Sequence, residues 1–226
     1  MSFQVSAILL AGGHGTRLKS KEPKQYLPLK GKPICLYSFE QLLACPFLQE
    51  IIIVASAPYR SLFQSKETPL KFAEPGRRRQ DSVLSGLKSA SPSSQFILIH
   101  DAARPFIDQA LLETVLESAF EGGAATLAVP LKFTVKQADA ELRVQHTPDR
   151  TCLFEIQTPQ VLRRDWLEKG LDLPGDLVDD VSAAEKLGHP VQLVSGSHAN
   201  IKITTLEDLI FAEAIGLHLN SFRDRP

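Results

Sequence analysis

The chain has 226 residues, of which 43% are apolar and 23% charged, with 25 basic residues against 26 acidic ones. That balance describes a globular chain long enough to bury a core without staples. It excludes a disordered segment and a protein that coats nucleic acid with a broad basic surface. Cys35, Cys45 and Cys152 show neither CxxC nor zinc spacing, and a sparse, odd count fits a reducing compartment.

The first predicted element is a strand over Val5–Leu10. It is far shorter than the roughly 20 residues a spanning helix needs, has no basic segment before it and runs straight into glycines, so it does not read as a signal peptide and a cytoplasmic protein is expected. The loop Ala11-Gly12-Gly13-His14-Gly15-Thr16-Arg17 follows, then Pro23-Lys24-Gln25-Tyr26. Glycines directly after a strand let backbone N–H groups approach an anion. GxxxxGK[ST] is absent, and the dinucleotide fingerprint fails because Leu18 stands where its third glycine would be. The added pair of cations, Arg17 and Lys24, suits a triphosphate under attack.

A helix over Pro33–Leu43 and a strand over Ile51–Ala55 come next. The basic loop Glu74-Pro75-Gly76-Arg77-Arg78-Arg79-Gln80-Asp81-Ser82 opens a helix over Arg79–Lys88, whose amino terminus favours anions or polar ligand groups. Taken alone, its three arginines read as a solvated face. The strand Phe96–His100 leads into Asp101-Ala102-Ala103-Arg104-Pro105. Asp101 falls at the carboxyl end of a buried strand, where open α/β sheets bind ligands. A carboxylate there can hold Mg²⁺, and Arg104 can clamp a phosphate; the alternative is an aspartate that caps a helix and pairs with Arg104. Neighbouring strand residues face opposite ways, so His100 reads as structural.

After a helix over Ala110–Phe120 and a strand over Ala125–Val129, the rhythm breaks. Thr134–Lys136 and Leu142–His146 flank a polar turn, Gln137–Glu141, and predict a β-hairpin. Such a ribbon is marginal alone and calls for a partner surface such as a second subunit. Gln157-Thr158-Pro159-Gln160 has no role legible from spacing, nor does Asp179-Asp180 beyond capping the helix Val181–Leu187. A strand over Val191–Val194 follows. Asn200–Thr204 is expected as a short strand bearing Lys202. The last helix starts at the capping-box pattern Thr204–Glu207 and runs to about Leu219, ahead of a polar, frayed tail, Ser221–Pro226. Strands alternating with helices imply a mainly parallel sheet in a single α/β domain, with an arm over about residues 132–150.

Together these segments resemble the 2-C-methyl-D-erythritol 4-phosphate cytidylyltransferases of the non-mevalonate isoprenoid pathway. The matching segments are Ala11–Arg17, Pro23–Tyr26, Gly76–Leu87, His100–Pro105, Thr147–Arg150, Gln157–Gln160 and Asn200–Asp208, in family order along the chain. The resemblance implies a Rossmann-like nucleotidyltransferase fold, Mg²⁺ dependence, CTP and a polyol phosphate as substrates, and a homodimer joined by the arm. It places the catalytic cations on Arg17, Lys24 and Lys202 and the metal on Asp101. Cytidine contacts fall on Ala11, Gly12, Gly13, Gly15, Gly76 and Ser82, and sugar-phosphate contacts on Arg104 and on the partner arm's Thr134 and Arg150. Phe133 stands where the family usually has an acid, Val178 where threonine is common and Leu206 where proline is usual. The sister ribitol-5-phosphate cytidylyltransferases share nearly all these motifs, and a non-catalytic nucleotide-binding module is the alternative from another class.

Overall fold

The computed structural model describes residues 3–13 and 22–223. Its main sheet has seven strands: β1 (Val5–Leu10), β4 (Leu48–Val54), β5 (Leu70–Ala73), β6 (Phe96–Asp101), β7 (Ala124–Pro130), β10 (Phe154–Arg163) and β11 (Gln192–Ser195). They lie in the order β11-β7-β10-β6-β1-β4-β5. All pairings are parallel except those of β10, which runs against both neighbours. The mainly parallel sheet expected from the sequence therefore contains one reversed strand near its centre. β5 and β10 are additional to the strands legible in the sequence. β10 escapes a hydrophobic template because Gln157, Thr158, Pro159 and Gln160 interrupt it, while Val161 and Leu162 beyond them are fully buried.

Near-continuous apolar runs suit strands covered on both faces. Ala7, Leu9, Ile51, Ile53 and Leu98 pack towards α1 (Ile34–Leu43) and α3 (Gln109–Gly122). Ile8, Ile52, Val54, Ile97 and Ile99 pack towards α2 (Arg79–Ser89) and α4 (Arg164–Asp172), with α5 (Ser182–Lys186) beside them. The result is three layers, helices on both faces of the sheet. A small hairpin, β2 (Pro28–Leu29) with β3 (Lys32–Pro33), supports α6 (Leu206–Arg223) through Leu29, Ile34, Ile203 and Ala212.

The arm is the hairpin of β8 (Gln137–Ala138) and β9 (Val144–His146), with Gln137 opposite His146. Its first strand lies later than the sequence suggested, because Asp139 organises the turn. The Asp139 carboxylate accepts bonds from the backbone N–H groups of Glu141 and Arg143 and from the Arg143 guanidinium. Phe133, Leu142 and Val144 are exposed on the arm. The other corrections are local. α6 is capped by Thr205 and Asp208, one residue beyond the expected box, and its backbone remains helical to Arg223, into the segment expected to fray. Asn200–Thr204 is an unpaired loop rather than a strand.

Candidate active site

A cleft of about 550 Å³ opens at the carboxyl ends of β1 and β6. It brings together Ala11, Gly12, Gly13, Lys24, Gly76, Ser82, Asp101 and Lys202, drawn from five separate stretches of sequence. A larger hollow of about 810 Å³ lies at the opposite ends of the strands, beside Phe3, Phe96 and Trp166. There Arg163 and Arg164 are already paired to Asp165 and Glu168, so the convergence of polar groups favours the smaller cleft.

The glycine loop is held from both sides. The Ala11 N–H donates to the Val54 carbonyl at 3.0 Å. The buried Gln25 amide donates to the carbonyls of Ala11 (2.7 Å) and Gly13 (3.1 Å), and the Tyr26 hydroxyl donates to Ala11 (2.7 Å). These contacts come from a single 3₁₀ turn, Lys24–Tyr26, which also carries Lys24 to the cleft. Gly12 has no room for a side chain: a Cβ there would lie 2.3 Å from the Pro75 side chain. Gly76 is equally crowded, 2.3 Å from Asp81, and its N–H donates to the Ser82 hydroxyl at 2.9 Å.

Asp101 ends β6 with its backbone N–H donating to the Thr158 hydroxyl at 3.1 Å. Thr158 also meets His100 Nδ1 at 3.1 Å, and His100 Nε2 lies 3.1 Å from the Arg104 carbonyl. A neutral imidazole with its proton on Nε2 satisfies every partner in this chain. Burial, the chief cause, lowers the His100 pKa to about 4, so the ring is neutral at pH 7. His100 is structural, as its strand position suggested.

The Asp101 carboxylate sits between two cations. Lys202 Nζ is 2.6 Å from Oδ2, and Arg79 lies 3.2 Å from Oδ1. Burial opposes ionisation of Asp101, but Arg79 and then Lys202 outweigh it and hold the carboxyl well below the usual carboxylate range. The loop bearing Lys202 is pinned on both sides: Asn200 Nδ2 donates to Gln157 Oε1 and the Thr158 carbonyl, and Ile203 N–H donates to the Ala103 carbonyl at 2.9 Å. Those few contacts do what a strand ladder was expected to do.

The run of arginines is not a uniformly solvated face. Arg79 grips Asp180 through Nη1 and Nη2 at 2.7 and 2.8 Å as well as touching Asp101, while Arg78 pairs with Asp81 and Asp176. Asp180 is thus a partner of this site that sequence spacing did not reveal; its only signal was the acidic doublet. Asp179 does cap, accepting from the Ser182 N–H. Arg104 is turned inwards: Nη1 donates to the Asn200 carbonyl at 2.7 Å, and its side chain does not pair with Asp101. Thr134 and Arg150 are exposed on the arm and at its base, outside the cleft, with Arg150 Nη1 donating to the Lys132 carbonyl at 2.7 Å. Gly15 and Arg17 lie outside the described residues.

A three-layer α/β sheet whose glycine loop, cations and aspartate converge at the strand ends is the arrangement of a Rossmann-like nucleotidyltransferase. Within that class, the chain belongs to the 2-C-methyl-D-erythritol 4-phosphate cytidylyltransferase family, whose model (IspD) matches residues 5–217. It is 46% identical over 214 residues to the Chlamydia pneumoniae enzyme of that name, covering 93% of this chain and 98% of that one. It is 42% identical over 219 residues to the chloroplastic enzyme of Oryza sativa subsp. japonica, covering 93% and 74%. Among solved structures, the 4-diphosphocytidyl-2C-methyl-D-erythritol synthase of Anaerococcus prevotii superposes with a TM-score of 0.85 at 27% identity, covering 96% of this chain and all of that one. The Francisella tularensis cytidylyltransferase gives 0.80 at 29% identity, over 94% and 99%.

Proposed function

We propose that this chain transfers the cytidylyl group of CTP to 2-C-methyl-D-erythritol 4-phosphate, releasing pyrophosphate. An oxygen of the acceptor phosphate forms the new bond to the α-phosphorus of CTP, and the bond from that phosphorus to the β-phosphate bridging oxygen breaks. A phosphate monoester has a second pKa near 6, so the acceptor is largely dianionic at neutral pH and needs no general base. That agrees with His100 being neutral and committed to Thr158 and Arg104. What remains is repulsion between anions, which the residues of the cleft are suited to relieve. The observation that carries this reading is the convergence of the glycine loop, Lys24, Lys202 and Asp101 in one cleft. Lys24 and Lys202 would face the charge that builds on the α-phosphate and the leaving pyrophosphate, and Arg17 would join them. Gly12, Gly13 and Gly15, with Ala11, Gly76 and Ser82, would hold the cytidine.

Magnesium fits the donor set. Among the described residues no cluster of three or more His, Cys, Asp or Glu could form a cage. A single cleft carboxylate is what Mg²⁺ uses when phosphate oxygens and water complete its shell. Asp101 would hold the ion, which when bound neutralises phosphate charge. Arg104, and Thr134 and Arg150 from a partner's arm, would take the acceptor. The homodimer is supported by an arm whose apolar side chains Phe133, Leu142 and Val144 have no cover of their own. No helix among the described residues is long and apolar enough to cross a membrane. A cytoplasmic location accords with three cysteines that form no disulfide.

The test is pyrophosphate release with CTP and a panel of acceptors. Turnover with 2-C-methyl-D-erythritol 4-phosphate well above that with ribitol 5-phosphate supports the assignment; the reverse preference moves it to the sister activity. CTP binding with no turnover on any acceptor would make the chain a binding module.

A further inference from the structure

Arg79 lines the cleft, yet its donors are already committed. Nε and Nη2 reach Asp101 Oδ1 at 3.2 Å, and Nη1 and Nη2 reach the two oxygens of Asp180 at 2.7 and 2.8 Å. Asp180 is itself fixed. Its side chain is only 4% exposed, and its backbone N–H donates to Gln160 Oε1 at 2.7 Å. The segment before it is tied along the first turn of α2, with Arg78 on Asp176 and Gln80 Oε1 accepting from the Leu177 N–H at 2.8 Å. Asp180 therefore cannot follow Arg79 if the guanidinium moves. Moving it towards a ligand would strand a buried carboxylate, which is strongly unfavourable. Lys202, on the other oxygen of Asp101, is 36% exposed and carried on a flexible stem. Asp101 thus has one fixed cation and one that can exchange.

We propose that Arg79 and Asp180 are a positioning pair: Asp180 clamps Arg79, and Arg79 fixes the rotamer of Asp101 so that Oδ2 faces the cleft. Neither residue binds phosphate. Arg79, Lys202, Asp101 and Asp180 together are formally neutral, so this cluster supplies orientation more than attraction for the nucleotide. The inference rests on the cytidylyltransferase reading, because the pair is argued to act on the reaction through Asp101.

The first test replaces both members, Arg79→Met with Asp180→Leu. Exchanging a buried ion pair for apolar residues of similar size is often neutral for stability. The expected variant melts within a few degrees of wild type, loses about 10-fold or more in kcat, and changes KM for CTP by less than about 3-fold, a split typical of lost positioning. A folded double variant that keeps its kcat would reduce the pair to a structural tie and overturn the proposal. The second test holds even if that variant does not fold. Asp180→Asn should cost about 10-fold in kcat/KM in the wild-type background and less than about 2-fold when Asp101 is already asparagine, because it acts through Asp101. Equal losses in both backgrounds would refute the pathway. The wild-type assay separates the two readings: no CTP-dependent turnover there refutes the cytidylyltransferase assignment, whereas normal wild-type turnover with silent variants refutes the positioning pair alone.

Discussion

Replacing Gln25 by leucine removes the two bonds its amide makes to the glycine loop, to Ala11 O at 2.7 Å and to Gly13 O at 3.1 Å, from a side chain of similar length that is almost wholly buried. Each such bond is worth about 0.5–1.5 kcal/mol. The two losses are unequal, because the Ala11 carbonyl keeps the Tyr26 hydroxyl whereas no other bond to the Gly13 carbonyl is seen among the described residues. A loss of about 1–2 kcal/mol in holding the loop ready for its ligand lowers the competent population about 5- to 30-fold, and the apparent affinity falls with it. Steady-state pyrophosphate release should therefore show KM for CTP raised by roughly that factor, with kcat changed less than about 3-fold and KM for the acceptor unaffected. Tyr26→Phe makes the comparison: its bond ends on a carbonyl that Gln25 also serves, so its effect should be the smaller. An unchanged KM for CTP in both variants would show that this turn does not organise the loop, and a larger effect from Tyr26→Phe than from Gln25→Leu would refute the ranking of the two bonds.

Lys24→Ala should lower kcat by about 10²–10³ while leaving the melting curve close to wild type, since the lysine faces the cleft; retention of most of the kcat would remove it from the reaction. Mixing Lys24→Ala subunits with Arg150→Ala subunits should restore about one quarter of wild-type activity after random exchange, because half the dimers are then mixed and each mixed dimer has one intact site; exchange without recovery would place Arg150 outside a shared site. The buried His100 predicts a pH effect on folding. With its pKa near 4 in the native state and an ordinary value of 6.5, the unfolded chain takes up a proton that the folded chain refuses between those values. Stability is therefore lost as pH falls from about 6.5 towards 4, by about 3 kcal/mol in all. Urea unfolding of His100→Gln should lack that part of the slope, and a parallel pH dependence in wild type and variant would refute the assignment.

The parallel strands and their flanking helices were legible because burial on both faces leaves β-branched apolar runs such as Val5–Leu10 and Phe96–Ile99, set between helical spacing. The cleft residues on those strand ends were legible for the same reason: Asp101 and the glycines follow directly on the pattern. What stayed hidden depends on contacts distant in sequence. β10 carries polar residues in mid-strand because they serve the site, with Thr158 on Asp101 and Gln160 on Asp180, so its pattern reads as a loop. Arg79 and Asp180 are 101 residues apart, and no local periodicity announces a buried ion pair of that separation. In the Lys202 loop, Ile201 and Ile203 alternate with the lysine as residues of a strand would. One of them is buried, but the backbone's bonds outside its own neighbourhood are the Ile203 N–H to the Ala103 carbonyl and the Asn200 carbonyl to the Arg104 guanidinium, and no ladder forms.

The reversed strand also explains where the arm stands. β7 and β10 are antiparallel neighbours with Phe154 opposite Pro130, and the pairing continues outwards when Leu131 N–H donates to the Leu153 carbonyl at 3.0 Å. The arm is therefore the distal end of a long β-hairpin whose base is built into the sheet. β7 runs parallel to β1 and β6 in the sheet, since β10 is antiparallel to both β6 and β7. Its carboxyl end, from which the arm departs, points the same way as the ends carrying Asp101 and the glycine loop. Had β10 been parallel, the chain would have had to cross back to the far end of the sheet before entering it, and the excursion would have begun and ended at opposite ends of the strands. Reversal lets 23 residues, from Leu131 to Leu153, leave and return at the cleft's own end. It likewise lays Thr158 and Gln160 beside the last residues of β6, where they hold Asp101 and the chain around Asp180. One strand direction thus sets both the polar support under the aspartate and the end of the sheet from which the arm departs, the same end at which the acceptor contacts proposed for Thr134 and Arg150 would form.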